Sequence, residues 1–163
     1  MPIDGRLFVE YVPTMFQNKL LEIGLLSLSL GFSVPALAAD MFGPVQADVV
    51  RVIDGDTVLV DAKPWPNQRI RTYVRLRGID SAEINSSCAA FRQSAQEAKQ
   101  ALLAMMMDHH TVTLTAISGD KYFGRVVATL MTENGTDLAE ELLQRGLAEP
   151  YQGKRKARPV CPD

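Results

Sequence analysis

The feature that most constrains this chain is a reversal near its middle third. Val49-Val50-Arg51-Val52-Ile53 is a β-branched run, Asp54-Gly55-Asp56 follows, and Thr57-Val58-Leu59-Val60 returns as a second run. β-branched side chains suit extended backbone. An Asp-Gly pair tolerates the positive φ that a tight turn needs. The sequence therefore predicts a β-hairpin over residues 49–60.

The remaining elements follow from periodicity. Lys63-Pro64-Trp65-Pro66-Asn67 reads as a loop by its prolines. Arg69–Ile79 reads as a third, longer strand. Residues 81–90 form a loop entering a helix, on which Phe91, Ala95, Ala98, Leu102 and Met105 share one face at three- and four-residue intervals. Met105-Met106-Met107 reads as core filler. Thr111–Ile117 alternates as a fourth strand, and Val126–Met131 is a fifth that ends at Glu133-Asn134-Gly135. Asp137–Arg145 is a short helix closed by Gly146, the residue suited to a left-handed position after a helix. Three strands, a helix, two strands and a short C-terminal helix make an α+β barrel. The specific expectation is a five-stranded OB-fold with its helix between strands three and four. The sheet face of such a barrel is a common platform for nucleic acid.

The chain has 163 residues, enough for one domain. Its first 38 residues read as a cleavable signal peptide. Lys19 precedes an apolar run from Ile23 to Val34, and Ala36 and Ala38 supply the small-x-small pattern of a cleavage site after Ala38 or Ala39. Translation from Met15 would bring the basic residue to its usual place. An uncut anchor is the alternative, but the run is short against the ~20 apolar residues a bilayer needs. The expected location is thus periplasmic or secreted, with no stable membrane anchor. Residues 39–46 read as a linker, 47–151 as the folded domain and 152–163 as a polar tail. Cys88 and Cys161 both lie in the exported part, where an oxidising compartment favours a bridge. Such a bridge closes a loop of roughly 70 residues, worth ~4 kcal/mol in the chain-entropy account.

The formal net charge is −2, and removal of residues 1–38 takes away two basic and three acidic residues, leaving −1. A strongly basic nucleic-acid binder is therefore excluded, and any cationic surface has to be local. Arg69, Arg71, Tyr73, Arg75 and Arg77 share one parity on the third strand, which suits either single-stranded nucleic acid or a solvated face. Lys154-Arg155-Lys156-Ala157-Arg158 is a basic run that either steers substrate or is simply solvated. His109 and His110 lack the partners a zinc site needs.

Three clusters carry chemistry: Ile53–Thr57, Arg75–Glu83 and Asp120–Arg125. Phosphodiester cleavage builds charge on phosphate oxygens, which cations must meet. A hard metal ion takes oxygen ligands, and Asp56 and Asp80 offer two carboxylates. Glu83 lies three residues beyond Asp80, within reach of a water on such an ion. Arg75 and Arg125 can each give paired hydrogen bonds to a phosphate.

From about Ala47 to Tyr151 the chain resembles the staphylococcal nuclease (thermonuclease) family. The resemblance rests on Ile-Asp-Gly-Asp-Thr, Arg-Leu-Arg-Gly-Ile-Asp-Ser-Ala-Glu and Asp-Lys-Tyr-Phe-Gly-Arg, in the family's order and at similar spacing. It implies an OB-fold nuclease that cleaves DNA and RNA with Ca2+ as cofactor. Asp56, Asp80 and the backbone carbonyl of Ser81 would hold the ion. Glu83 would position or deprotonate the attacking water, and Arg75 and Arg125 would bind the scissile phosphate. Tyr122, with Lys121 and Arg77, would contact the nucleic acid, single strands being preferred, and the protein would act as a monomer. The alternative is an OB-fold nucleic-acid-binding module without activity. Three departures stand out: Ser81-Ala82-Glu83 replaces the usual Thr-Pro-Glu, Phe123 is an extra residue between Tyr122 and Gly124, and the tail has no long helical pattern.

Overall fold

The computed structural model describes residues 40–41, 43–107, 109–153 and 160–161. The signal-peptide reading (residues 1–38) and the basic run Lys154–Arg158 lie outside the described residues.

Five strands close into a barrel: β1 (Val45–Val52), β2 (Thr57–Lys63), β3 (Ile70–Leu76), β5 (Thr111–Gly119) and β6 (Arg125–Thr132). Their order around the barrel is β1-β2-β3-β6-β5, with β5 returning to β1. Every neighbouring pair is antiparallel except β3 and β6, which run parallel. Helix α1 (Ala89–Met106) lies between β3 and β5 in sequence, and α2 (Leu138–Gln144) follows β6. A closed five-stranded mixed barrel with this helix placement is the expected OB-type α+β fold.

Alternation along the strands builds the core. Val58, Val60, Val74, Leu76, Val112, Leu114, Ala128 and Leu130 point inward and are buried. Leu102 and Met106 from α1, with Leu138 and Leu142 from α2, belong to the same apolar cluster. The buried stripe of α1 is Ala95, Ala98, Leu102 and Met106, while Met107 is exposed. So the three consecutive methionines divide between core and solvent, as a helical period requires. Asp137 caps α2 by accepting hydrogen bonds from the amides of Ala139 (2.9 Å) and Glu140 (3.3 Å). Gly146 takes the left-handed conformation (φ 67°) just beyond it.

Beyond shifts of a residue or two at the ends of β5, β6 and α2, three differences from the sequence reading bear on the barrel and the site. β1 begins at Val45, inside the expected linker, because Val45–Asp48 pair with Leu114–Thr111 and close the barrel. β3 ends at Leu76 rather than Ile79, since Gly78 has a positive φ (84°) and turns the chain out of the barrel. The following β4 (Ile79–Asp80) pairs instead with β7 (Glu149–Pro150), a strand that periodicity over two residues cannot reveal. This last change puts Asp80 on a short strand of its own beside β7, rather than just beyond the third strand.

Cys88 and Cys161 form a disulfide, with their Cα atoms 5.7 Å apart. It ties the C-terminal tail to the residue that precedes the first turn of α1.

Candidate active site

The hairpin loop between β1 and β2 sets Asp56. Its amide donates to the Asp54 carboxylate (3.1 Å), and its carbonyl accepts from the amide of Leu76 on β3 (2.8 Å). Gly55 is needed here for space rather than for a positive φ. A Cβ at this position would lie 2.5 Å from the Cβ of Ala98 on α1 and 2.9 Å from the side chain of Ser81. The loop is therefore wedged between the helix and the Ser81 segment.

Asp56 is only 3% exposed. One carboxylate oxygen accepts from the Thr57 hydroxyl (2.8 Å) and the other from the amide of Ser81 (3.1 Å). Thr57 and Arg75 are paired residues across β2 and β3, which brings the Arg75 guanidinium to the same spot. Its Nη2 lies 3.0 Å from Asp56 and also binds the carboxylate of Asp80. Asp80 reaches the same Nη2 from β4, which pairs with β7 outside the barrel. Arg75 thus bridges the two carboxylates, and the Tyr151 ring lies 5.7 Å from its guanidinium carbon. Burial pushes the Asp56 carboxyl up to about 6; Arg75 pulls in the other direction, and the nearby Asp54 charge adds to the rise.

The second half of the site is the β5–β6 loop. Arg125 opens β6, and its Nε donates to Asp120 (2.7 Å). Burial acts to raise the Asp120 carboxyl, but the hydrogen bond and charge of Arg125, with the amides of Lys121 and Tyr122, hold it below its ordinary value. The Tyr122 ring is flanked by the Arg125 guanidinium at 4.6 Å and the Lys121 ammonium at 4.9 Å. One open cleft of about 930 Å3 collects both halves: Asp56, Arg75, Ser81, Glu83, Tyr122 and Arg125 all line it. Lys121 and Arg77 line it as well. Asp80 reaches the cluster through its ion pair with Arg75.

Some residues fall elsewhere than a strand-parity argument suggests. Arg77 turns its Nη2 onto the Ala116 carbonyl (2.6 Å), the Ser118 hydroxyl (2.6 Å) and the Val127 carbonyl (3.1 Å). It thereby clasps the irregular stretch of β5, where Ala116 itself has a positive φ (47°). Arg71 is paired with Asp61 and Arg69 with Asp48. The basic stripe is thus largely internally neutralised, and only its Arg75 and Arg77 members reach the cleft. Two cleft residues were given no role by the sequence reading. Asp120 opens the third cluster, and its five-residue spacing to Arg125 is a usable signal for their pairing across a tight turn. Tyr151 carries no local signal, because its position depends on the β4–β7 pairing.

The donor set fits a hard cation. Asp56 and Asp80 present oxygens only, share a single guanidinium, and one of them is desolvated enough to favour a stronger counter-charge. Among the described residues no three His, Cys, Asp or Glu side chains group as an ion site by themselves. Further ligands would be backbone oxygen, for which Ser81 is placed by its bond to Asp56, and water.

A five-stranded OB-type barrel that gathers carboxylates and arginines into one open cleft belongs to the barrels that handle nucleic acid. The family model for staphylococcal nuclease homologues matches residues 73–160, more than half of the sequence, and the chain belongs to that family. The match contains Arg75, Asp80, Ser81, Glu83, Lys121, Tyr122 and Arg125, and begins after Asp56. No curated protein matches the chain.

Proposed function

We propose that this protein is an exported, calcium-dependent nuclease that hydrolyses phosphodiester bonds in DNA and RNA, preferring single strands. The observation that carries the reading is the Arg75 bridge between Asp56 and Asp80, in a cleft that also holds Glu83 and Arg125. It supports a site built to balance positive charge against two carboxylates beside a polyanion.

In this reading Asp56, Asp80 and the Ser81 carbonyl hold the ion. Bound calcium would supply charge neutralisation and polarisation at the phosphate. Arg75, held between Asp56 and Asp80, would turn guanidinium donors to the phosphate oxygens. Arg125, backed by Tyr122 and oriented by Asp120, offers a second planar donor pair. Glu83, at the open edge of the cleft, takes the proton of the attacking water. Water oxygen bonds to phosphorus, the ester P–O bond breaks, and the leaving alkoxide is protonated from solvent. The disulfide supports export to an oxidising compartment. Among the described residues no helix is long and apolar enough to cross a membrane.

The test is incubation with single-stranded DNA and RNA in calcium and then in chelator. Cleavage in calcium that stops in chelator is expected. Tight binding without cleavage would instead identify an inactive nucleic-acid-binding module, and cleavage indifferent to chelator would overturn the metal assignment.

A further inference from the structure

Phe123 is the most exposed large apolar side chain among the described residues, at 109% of its reference area. A phenylalanine wholly in water forgoes about 2–3 kcal/mol of burial. It also sits on a well-defined support. The Arg125 amide donates to the Tyr122 carbonyl (3.2 Å), closing the turn beneath Phe123, and Gly124 supplies the positive φ (81°) the turn requires. The Gly124 carbonyl is pinned to β3 by the Thr72 hydroxyl (3.2 Å) and the Tyr73 amide (3.4 Å). Phe123 is therefore held out in solvent on a fixed turn, next in sequence to the cleft-lining Tyr122 and two residues from the cleft-lining Arg125. That separation spans at most about 7 Å of chain.

Its neighbour cannot do the same work. The Tyr122 ring already carries the Arg125 guanidinium and the Lys121 ammonium against it. A base stacking on Tyr122 competes with those cations, whereas the Phe123 ring is solvated. Lys121 and Arg125 lie within two residues of Phe123, so positive charge stands within a short stretch of chain of this aromatic side chain. Tyr73, opposite Arg125 in the β3–β6 pairing and bonded through its amide to the Gly124 carbonyl, is a second exposed aromatic residue beside this turn. A π face beside a phosphate is the chemistry of a nucleotide in a single strand, where the base is unpaired.

We propose that Phe123 is the base-stacking residue of this site, holding a nucleobase adjacent to the phosphate bound at Arg125. The inference rests on the nuclease reading and adds a subsite to it. Stacking is indifferent to base identity, so the subsite selects unpaired strands rather than sequences.

The experiment compares cleavage of a short single-stranded DNA with cleavage of an abasic strand of equal length, in calcium. Phe123→Ala should lower kcat/KM on the base-bearing strand about tenfold, within the range for loss of one base–aromatic stack, and leave the abasic strand unaffected. Phe123→Trp should restore the wild-type preference. Equal losses on both strands would mean that the substitution acts through the turn and Arg125, and would overturn the proposal. No loss on either strand, or failure of Phe123→Trp to restore the preference, would overturn it too. Wild-type protein that cleaves neither strand would overturn the nuclease reading itself, and the subsite with it.

Discussion

At the scale of single residues, the informative tension lies at Asp56. Its carboxyl is raised by burial, so the folded protein binds a proton at this site more readily than the unfolded chain does. Without metal, folding stability should therefore fall as pH rises from about 4, the unfolded value, through about 6, the folded one. Asp56→Asn removes that penalty, keeping one oxygen to accept from the Ser81 amide while its NH2 can donate to the Thr57 hydroxyl. In chelator the variant should exceed wild type by on the order of 1–3 kcal/mol at pH 7.5, the free-energy equivalent of a carboxyl pushed up to about 6. The difference should vanish near pH 4. Urea titrations at both pH values check this, and a less stable Asn variant at pH 7.5 would refute it. Asp56→Ala should lose calcium binding and cleavage yet stay folded, which calorimetry and circular dichroism report. Arg125 and Arg77 provide a second contrast. Arg125→Lys should cut kcat on the order of 10²-fold with the fold intact, since an ammonium cannot span two phosphate oxygens. Arg77→Lys should chiefly lower thermal stability, because Arg77 joins carbonyls of β5 and β6. Equal, small kinetic losses in both would make Arg125 an ordinary surface arginine.

At the scale of elements, the β1–β2 loop depends on helix α1. Gly55→Ala puts a Cβ against Ala98, where neither backbone can retreat cheaply. Overpacking of this kind costs about 1–3 kcal/mol, and the displaced loop should weaken calcium binding as well. Trimming the opposing side chain tests the cause directly: Gly55→Ala combined with Ala98→Gly should recover calcium affinity, although glycine in the helix costs about 1 kcal/mol. A double variant no better than Gly55→Ala would show that the clash is not what matters. The same element-level logic explains why the hairpin was legible and its glycine was misread. The β-branched runs are local signals, whereas the reason for Gly55 is Ala98 on helix α1, more than forty residues away in sequence.

For the molecule as a whole, the Cys88–Cys161 bridge closes 73 residues of chain separation and joins the tail to the start of α1. Reduction should lower unfolding free energy by about 4 kcal/mol, following the loop-closure entropy of a cross-link of this span. Guanidinium titrations with and without reductant measure it. A mass spectrum of unreduced protein with two free thiols would refute the bridge. The tail has its own local attachment, since the Tyr151 amide donates to Gly78 (2.8 Å). Some order near the cleft should consequently survive reduction.

The sequence by itself determined the barrel, because strand alternation, helical period and turn residues are local properties repeated along the chain. It also determined which side chains could meet a phosphate, since Asp56, Asp80, Glu83, Arg75 and Arg125 are chemically suited wherever they lie. Tertiary structure decided how they meet. Asp80 shares the Arg75 guanidinium with Asp56 where Gly78 turns the chain out of β3 and β7, some seventy residues later, receives it. Arg75 bridges both carboxylates, while Arg77, identical in type and in strand parity, is drawn onto the β5 and β6 carbonyls. Parity assigns a side of the strand, but the length and flexibility of an arginine let its partner be chosen by whichever unsatisfied oxygen the fold brings within reach.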